Sequence, residues 1–280
     1  MNICFASGKG GTGKTLLATN LAVHLSRHFN RAAYLDADVE EPNGFLFLKP
    51  DLHTVDRVAV ALPALRGDSC SGCGVCQRFC AFNAVLAHGD GVLVFSELCH
   101  NCGGCLLVCP EQALIELPRE VGTLSWGERD GLICGAGRLD VGEPRAEPVI
   151  ERLLERAPEA RITVVDAAPG TSCSAVAAAK TAELLVLVTE PTPFGLHDLR
   201  LAVEMGRRLE LPLAAVINRA DLGDDAVRGY LEREGVRILG EIPFRREIAE
   251  AYSRGALALE ASPELRRVVE TLAREVIRAL

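Results

Sequence analysis

The stretch MNICFASGKGGTGKTLLATNL, residues 1–21, holds an apolar strand (Asn2 to Ala6), a glycine-rich turn and the opening of a helix with apolar positions at Leu17, Leu21 and Leu25. The turn, Gly8-Lys9-Gly10-Gly11-Thr12-Gly13-Lys14-Thr15, has the residues and the strand-turn-helix setting of a phosphate-binding loop. Its glycines let backbone N–H groups converge on phosphate oxygens at a helix N-terminus. Lys14 then reaches the β and γ oxygens, and Thr15 offers its hydroxyl to Mg2+. A bound nucleoside triphosphate is what this stretch implies.

Working outward, Ala32 to Leu35, Ile162 to Val165, Leu184 to Val188, Leu213 to Ile217 and Arg237 to Ile242 are further strand-like segments, alternating with helical patterns. That rhythm predicts an α/β fold with a doubly wound, mainly parallel sheet. A long interruption separates Leu35 from Ile162. It contains a candidate edge strand, Val55 to Leu62, then a cysteine-rich block, then a glycine-rich connection from Gly122 to Gly142.

In that block Cys70, Cys73, Cys76, Cys80 and Cys99, Cys102, Cys105, Cys109 each read C-x2-C-x2-C-x3-C, at a constant offset of 29 residues. This is the ligand spacing of bacterial ferredoxins, in which the fourth cysteine of each run serves the other cluster. The expected ligand sets are therefore Cys70, Cys73, Cys76 and Cys109 for one 4Fe-4S cluster, and Cys99, Cys102, Cys105 and Cys80 for the other. Gly72, Gly74, Gly103 and Gly104 suit a backbone wrapped closely around inorganic sulfide.

Three other readings compete: a disulfide framework, zinc sites, or buried thiols. The opening MNICFAS lacks the basic, apolar, small-residue pattern of a signal sequence, which predicts a reducing, cytoplasmic setting and disfavours disulfides. Zinc sites pair C-x2-C units across a longer spacer and do not close triplets with x3-C. One departure from the ferredoxin pattern is Cys80-Ala81, where a proline usually follows; the second run does end Cys109-Pro110. The block predicts an inserted α+β two-cluster ferredoxin domain at residues 64–118, within a P-loop ATPase domain made of residues 1–63 and 119–280. A two-fold repeat brings its own ends together, so inserting it into a surface loop costs little.

The formal charge of −8 and the scattered arginine pairs leave no basic face for phosphate neutralisation, so no nucleic-acid partner is expected. No apolar run approaches the roughly 20 residues of a spanning helix, so no membrane partner is expected either. The last helical pattern, Pro263 to Leu280, puts Leu265, Val268, Val269, Leu272, Val276 and Leu280 on one stripe. Its polar face balances acids and arginines, which predicts docking on the protein's own core.

Lys9, within KGGTGKT, resembles the additional lysine of the deviant phosphate loop in the MinD, ParA, Mrp and nitrogenase-iron-protein ATPases. The resemblance covers nearly the whole chain outside the insert. It implies a homodimer that sandwiches two ATP molecules, with Lys9 reaching the partner's phosphates. By the same resemblance Asp36 and Asp38 in YLDADVEEPN form the first switch, Asp36 supporting Mg2+ and Asp38 positioning the attacking water. Asp166 in VVDAAPG is then the Walker B aspartate, Gly170 senses the γ-phosphate, and Asn218 in VINRADLG and Pro243 in GEIPF recognise adenine. The deviant loop, the cysteine block, PGTSC and GEIPF together look like the ferredoxin-containing branch of the Mrp/MinD-type ATPases.

Three cysteines remain. Cys4 and Cys134 read as small buried side chains. Cys173 follows Gly170 by three residues, a neighbourhood in which the nitrogenase iron protein has a cluster-binding cysteine, although a buried thiol is its ordinary reading. The leading functional expectation is ATP-gated electron transfer from the two clusters to an unidentified redox partner, with ATP hydrolysed to ADP. The alternative is an iron-sulfur or metallocluster carrier that delivers to an apo-metalloprotein. A positioning ATPase of the ParA or MinD kind ranks last, because the acidic balance suits neither DNA nor membrane.

Overall fold

The computed structural model describes residues 1–29 and 31–279. Its strands are β1 (Asn2–Ala6), β2 (Ala32–Ala37), β3 (Asp51–Leu65), β4 (Val85–His88), β5 (Gly91–Val94), β6 (Leu114–Arg129), β7 (Leu132–Leu139), β8 (Ile162–Ala167), β9 (Leu184–Thr189), β10 (Leu213–Asn218) and β11 (Arg237–Ile242). Its helices are α1 (Lys14–Ser26), α2 (Gly44–Leu48), α3 (Val75–Phe79), α4 (Gly104–Leu107), α5 (Glu147–Glu155), α6 (Cys173–Ala179), α7 (Pro193–Arg208), α8 (Ala226–Arg233), α9 (Arg246–Ser253) and α10 (Pro263–Ala279).

The main sheet runs β11-β10-β9-β1-β8-β2-β7-β6-β3. It is parallel from β11 to β7; β6 then runs antiparallel to both β7 and β3. Helices cover both faces, and β1 shows why alternation is invisible in its sequence. Ile3 and Phe5 pack with α1 and α10 on one side, while Cys4 and Ala6 pack with α6 and α7 on the other. Leu265, Val268, Val269, Leu272 and Val276 of α10 all join the first of these layers; Leu280 lies outside the described residues. Several strands run past their apolar stretches, β2 through Asp36 to Ala37 and β8 through Asp166 to Ala167, with every residue buried. These carboxyl ends are where a parallel sheet builds its site.

The stretch Gly122 to Gly142 is a correction to the sequence reading. Most of it is paired strand, in β6 and β7, and Cys134 lies within β7, buried. The glycines mark close approach, not a loop. Trp126 stands directly opposite Gly135 in the β6–β7 register, and a Cβ on Gly135 would come 2.4 Å from the indole ring. Gly135→Ala is therefore expected to lower stability by about 1–3 kcal/mol through overpacking, read as a drop in thermal midpoint.

The strands β3 and β6 pair from Asp51–Glu128 to Leu65–Leu114, so residues 64 and 118 both fall inside a continuous hairpin. The excursion beyond that hairpin is residues 66–113, and its ends are hydrogen-bonded neighbours. The 29-residue offset governs its backbone. The β4–β5 pairs Val85–Val94 and His88–Gly91 correspond to Leu114–Leu65 and Leu117–Leu62 at the tip of the long hairpin. Left-handed residues recur at the same offset: Gly72 and Asn101, Gly74 and Gly103, Asn83 and Gln112. The small core of this region obeys it too, pairing Cys76 with Cys105 and Val85 with Leu114. One half of the repeat is thus fused into the main sheet through β3 and β6.

Candidate functional site

The loop after β1 is held by hydrogen bonds to its backbone carbonyls. Ser7 Oγ donates to the Lys9 carbonyl at 2.8 Å, and the Gly170 amide donates to the Ser7 carbonyl at 2.8 Å. Gly13, at φ +96, caps α1, and a Cβ there would come 2.4 Å from Asn218 Nδ2. Asn218 Nδ2 in turn donates to the Thr12 carbonyl at 2.8 Å, which ties the end of β10 to the loop. Gly8 is equally constrained, since a Cβ would meet the Asp198 carbonyl of α7 at 2.3 Å.

A cavity of about 410 Å³ opens over this loop, a size suited to a small-molecule ligand. Gly10, Gly11, Thr12, Gly13, Lys14, Thr15, Asp38, Asn218 and Pro243 line it. Thr12 Oγ1 is buried on its edge with no hydrogen-bond partner, a spare donor of the kind that a phosphate oxygen satisfies. Gly8, Lys9, Asp36, Asp166 and Gly170 stand outside this lining. Phe244, Arg245, Tyr252 and Arg219 also line the cavity and escaped the sequence reading. The first two directly follow Pro243 and Arg219 follows Asn218, so those motifs carried the signal. Tyr252 sits on α9 with its ring 4.5 Å from Phe47 of α2, a tertiary meeting no local pattern announces.

Charge is concentrated below the cavity floor. Lys14 Nζ lies 3.0 Å from Asp166 Oδ1, with the two side chains only 7 % and 0 % exposed. Burial works against the Lys14 ammonium, yet Asp166, and then Asp38 and Asp36, hold its pKa above the ordinary lysine value. Asp36 and Asp166 are register partners on β2 and β8. Burial, and next the Asp166 charge, raise Asp36 well above the usual carboxylate range, although it accepts from the Gly44 amide at 2.7 Å. Asp38 is pushed up to about 6 by burial, with Lys14 opposing. Tyr34 OH donates to Asp166 Oδ2 at 3.1 Å, a second partner that the sequence reading did not single out.

Lys9 is folded back within its own chain. Its Nζ lies 3.2 Å from Glu190 Oε2, and Glu190 also takes Arg219 at 2.6 Å. Glu190→Gln removes the carboxylate that both cations share. Because Lys9 and Arg219 are partly solvated, the expected cost is about 1 kcal/mol, measured by thermal denaturation without nucleotide.

The eight cysteines surround two further cavities. Cys70, Cys73, Cys76 and Cys109 line one; Cys80, Cys99, Cys102 and Cys105 line the other, of about 180 Å³. The Ala84 amide donates to Cys80 Sγ and the Ala113 amide to Cys109 Sγ, each at 3.3 Å and again 29 residues apart. Among the described residues no three His, Cys, Asp or Glu side chains converge as a site for one metal ion. The first space is about 20 Å³ and the second about 180 Å³, and the four thiols that line each are the donor set of a cubane cluster. Cys4 and Cys134 are buried, and burial foremost pushes each thiol up to about 12, as befits inert side chains. Cys173 is exposed at the start of α6, so its reading as a buried thiol is corrected.

Residues 3–258 match the family described as the CobQ/CobB/MinD/ParA nucleotide binding domain. The chain belongs to this family. Two uncharacterized proteins of Methanocaldococcus jannaschii are similar to it, one 28% identical over 99% of this chain and 98% of that protein, the other 30% identical over 73% and 72%. An iron-sulfur cluster carrier protein of Aquifex aeolicus is 27% identical over 94% of this chain and 62% of that protein. In three dimensions the Pyrococcus furiosus cell division ATPase MinD superposes with a TM-score of 0.60 at 18% identity, covering 98% of both chains. A ParA family ATPase from Chlorobium tepidum gives 0.57 at 16% identity over 97% and 98%. At such identities these likenesses bear on the fold alone. Among the described residues no helix is long and apolar enough to cross a membrane.

Proposed function

We propose that this chain is an ATP-hydrolysing iron-sulfur carrier, which holds two 4Fe-4S clusters and delivers them to apo-metalloproteins under control of a nucleotide-switched homodimer. The observation that carries this reading is the division of eight cysteines between two cavities in a chain that also presents a phosphate-loop pocket. Delivery is preferred to redox work because the Aquifex relative is named a carrier. The arrangement of the cysteines favours the second reading, ATP-gated electron transfer, since four thiols around each cavity make a complete ligand set that suits retention.

Cys70, Cys73, Cys76 and Cys109 would hold one cluster, and Cys99, Cys102, Cys105 and Cys80 the other; a cluster so held supplies either a transferable iron-sulfide unit or one-electron chemistry. In the nucleotide pocket, Gly10 to Thr15 cradle the phosphates, with Gly8 setting the turn beneath them, and Lys14 neutralises them. Thr15, Asp36 and Asp166 would hold Mg2+, which screens phosphate charge when bound. For this Lys14 exchanges Asp166 for phosphate. Asp38, on the cavity wall, orients the attacking water. The Gly170 amide leaves the Ser7 carbonyl to meet the γ-phosphate, and Lys9 leaves Glu190 to reach the partner's nucleotide. Asn218 retains one amide hydrogen and an oxygen lone pair for adenine, which rests beside Pro243.

The test is anaerobic incubation of the iron-loaded protein with an apo-ferredoxin. With MgATP the acceptor is expected to gain clusters faster than with MgADP while this chain loses iron. Equal cluster gain with both nucleotides would remove the nucleotide control, no gain would overturn delivery, and reduction of cluster-loaded ferredoxin in a parallel incubation, with no loss of iron from this chain, would favour the redox reading.

A further inference from the structure

Arg145 lies in the turn between β7 and α5, outside the nucleotide pocket, and it reaches one half of the cysteine repeat. Its Nη1 donates to Asn101 Oδ1 at 2.7 Å, and Asn101 Nδ2 donates to the Ala61 carbonyl of β3 at 2.6 Å. Asn101 sits between Cys99 and Cys102 and lines the cavity that those residues share with Cys80 and Cys105. Its counterpart 29 residues earlier is Gly72, which adopts the same left-handed backbone but has no side chain to anchor. The fold has therefore broken the symmetry of its own repeat at this position.

The anchor is a buried charge. The Arg145 side chain is 13 % exposed, and its Nε lies 3.8 Å from Glu143 Oε1. Glu143, 2 % exposed, is ion-paired with Arg119 of β6. The turn leads back to the nucleotide pocket through short backbone bonds. The Glu143 amide donates to the Asp140 carbonyl at 3.1 Å, and the Leu139 amide to the Val39 carbonyl at 2.8 Å. Val39 directly follows Asp38 on the pocket wall, and Gly137 packs so close that a Cβ would come 2.7 Å from Val39 Cγ1. A displacement of the Asp38–Val39 segment therefore bears directly on β7, from whose end the turn carrying Arg145 departs.

We propose, on the reading that both cavities hold clusters, that Arg145 is a positioning residue that couples nucleotide state to the Cys80/Cys99/Cys102/Cys105 centre alone. The Cys70/Cys73/Cys76/Cys109 centre, whose loop carries Gly72, is the uncoupled one. Spatial contiguity only suggests such coupling; a variant that removes it is the physical proof.

The experiment follows iron release from the loaded full-length protein to a ferrous chelator under anaerobic conditions, with MgATP or MgADP. Two phases of similar amplitude are expected, of which one changes rate between the nucleotides by about fivefold or more, the lower end of ordinary coupling between sites. Arg145→Gln is expected to erase that nucleotide difference while nucleotide affinity is unchanged. A merely structural role would shift the phase equally with both nucleotides and leave the ratio intact. If Arg145→Gln does not fold, Asn101→Gly removes the Arg145–Asn101 bond, together with that to Ala61, at a position where the repeat itself accommodates glycine. A nucleotide effect shared by both phases, absent from both, or retained in the variant overturns the proposal. Failure of the iron-sulfur reading shows separately, as loaded protein that lacks about eight irons per chain.

Discussion

Cys109→Ala is expected to empty the centre of Cys70, Cys73 and Cys76, not that of its sequence neighbours Cys99, Cys102 and Cys105. Iron in anaerobically reconstituted protein should fall from about eight to about four per chain. The single variant does not reveal which centre was lost; two double variants do. Cys70→Ala with Cys109→Ala strikes one cavity twice and should still retain about four irons, whereas Cys102→Ala with Cys109→Ala strikes both and should retain almost none. Ligation within each run would reverse the two outcomes. The structure makes the crossed result the expected one, because Cys109 and Cys80 have exchanged cavities across the repeat. Cys109 Sγ also accepts from the Ala113 amide just before β6, while the Cys109 amide donates to the Leu106 carbonyl of α4, so both flanks fix its position.

The parts of this molecule that were legible in sequence share one property: their signal is local. The strand-turn-helix around Gly8 to Thr15, the apolar strands and the cysteine spacing are each set by residues within a few positions of one another. The glycine-rich stretch misled for the converse reason. Gly135 is glycine because Trp126, across the strand pair, occupies the space of a Cβ, and such a tertiary cause leaves no local trace. The boundaries 64 and 118 fell inside strands because half of the cysteine repeat borrows the tip of β3 and β6 as its own hairpin. In the pocket, Lys14 and Thr15 were readable from the loop, but Glu190 and Tyr34 were not. Both matter through what they touch, Lys9 and Asp166, from strand positions far away in the chain, Tyr34 within β2 and Glu190 just past β9.

Lys14→Met is expected to abolish measurable ATP hydrolysis and to destabilise the nucleotide-free protein, and the two effects separate cleanly. Loss of one preorganised charge on a transferring phosphoryl group costs on the order of 10²–10³ in rate. The stability effect has a different origin. Asp166 is fully buried, and without Lys14 it keeps Tyr34 OH as its donor while Asp36 stands beside it on the neighbouring strand. An uncompensated buried charge of this kind costs about 3–5 kcal/mol. Adding Asp166→Asn should restore most of that stability, because the buried charge is gone and the amide can still accept from Tyr34. It should restore none of the hydrolysis, since the residue that meets the phosphates is still missing. Chemical denaturation of the two variants beside the parent measures the first effect, and phosphate release the second. Equal stability of Lys14→Met and its parent would mean that the Lys14–Asp166 pair does not hold this floor together. Recovery of hydrolysis in the double variant would remove Lys14 from the phosphate site.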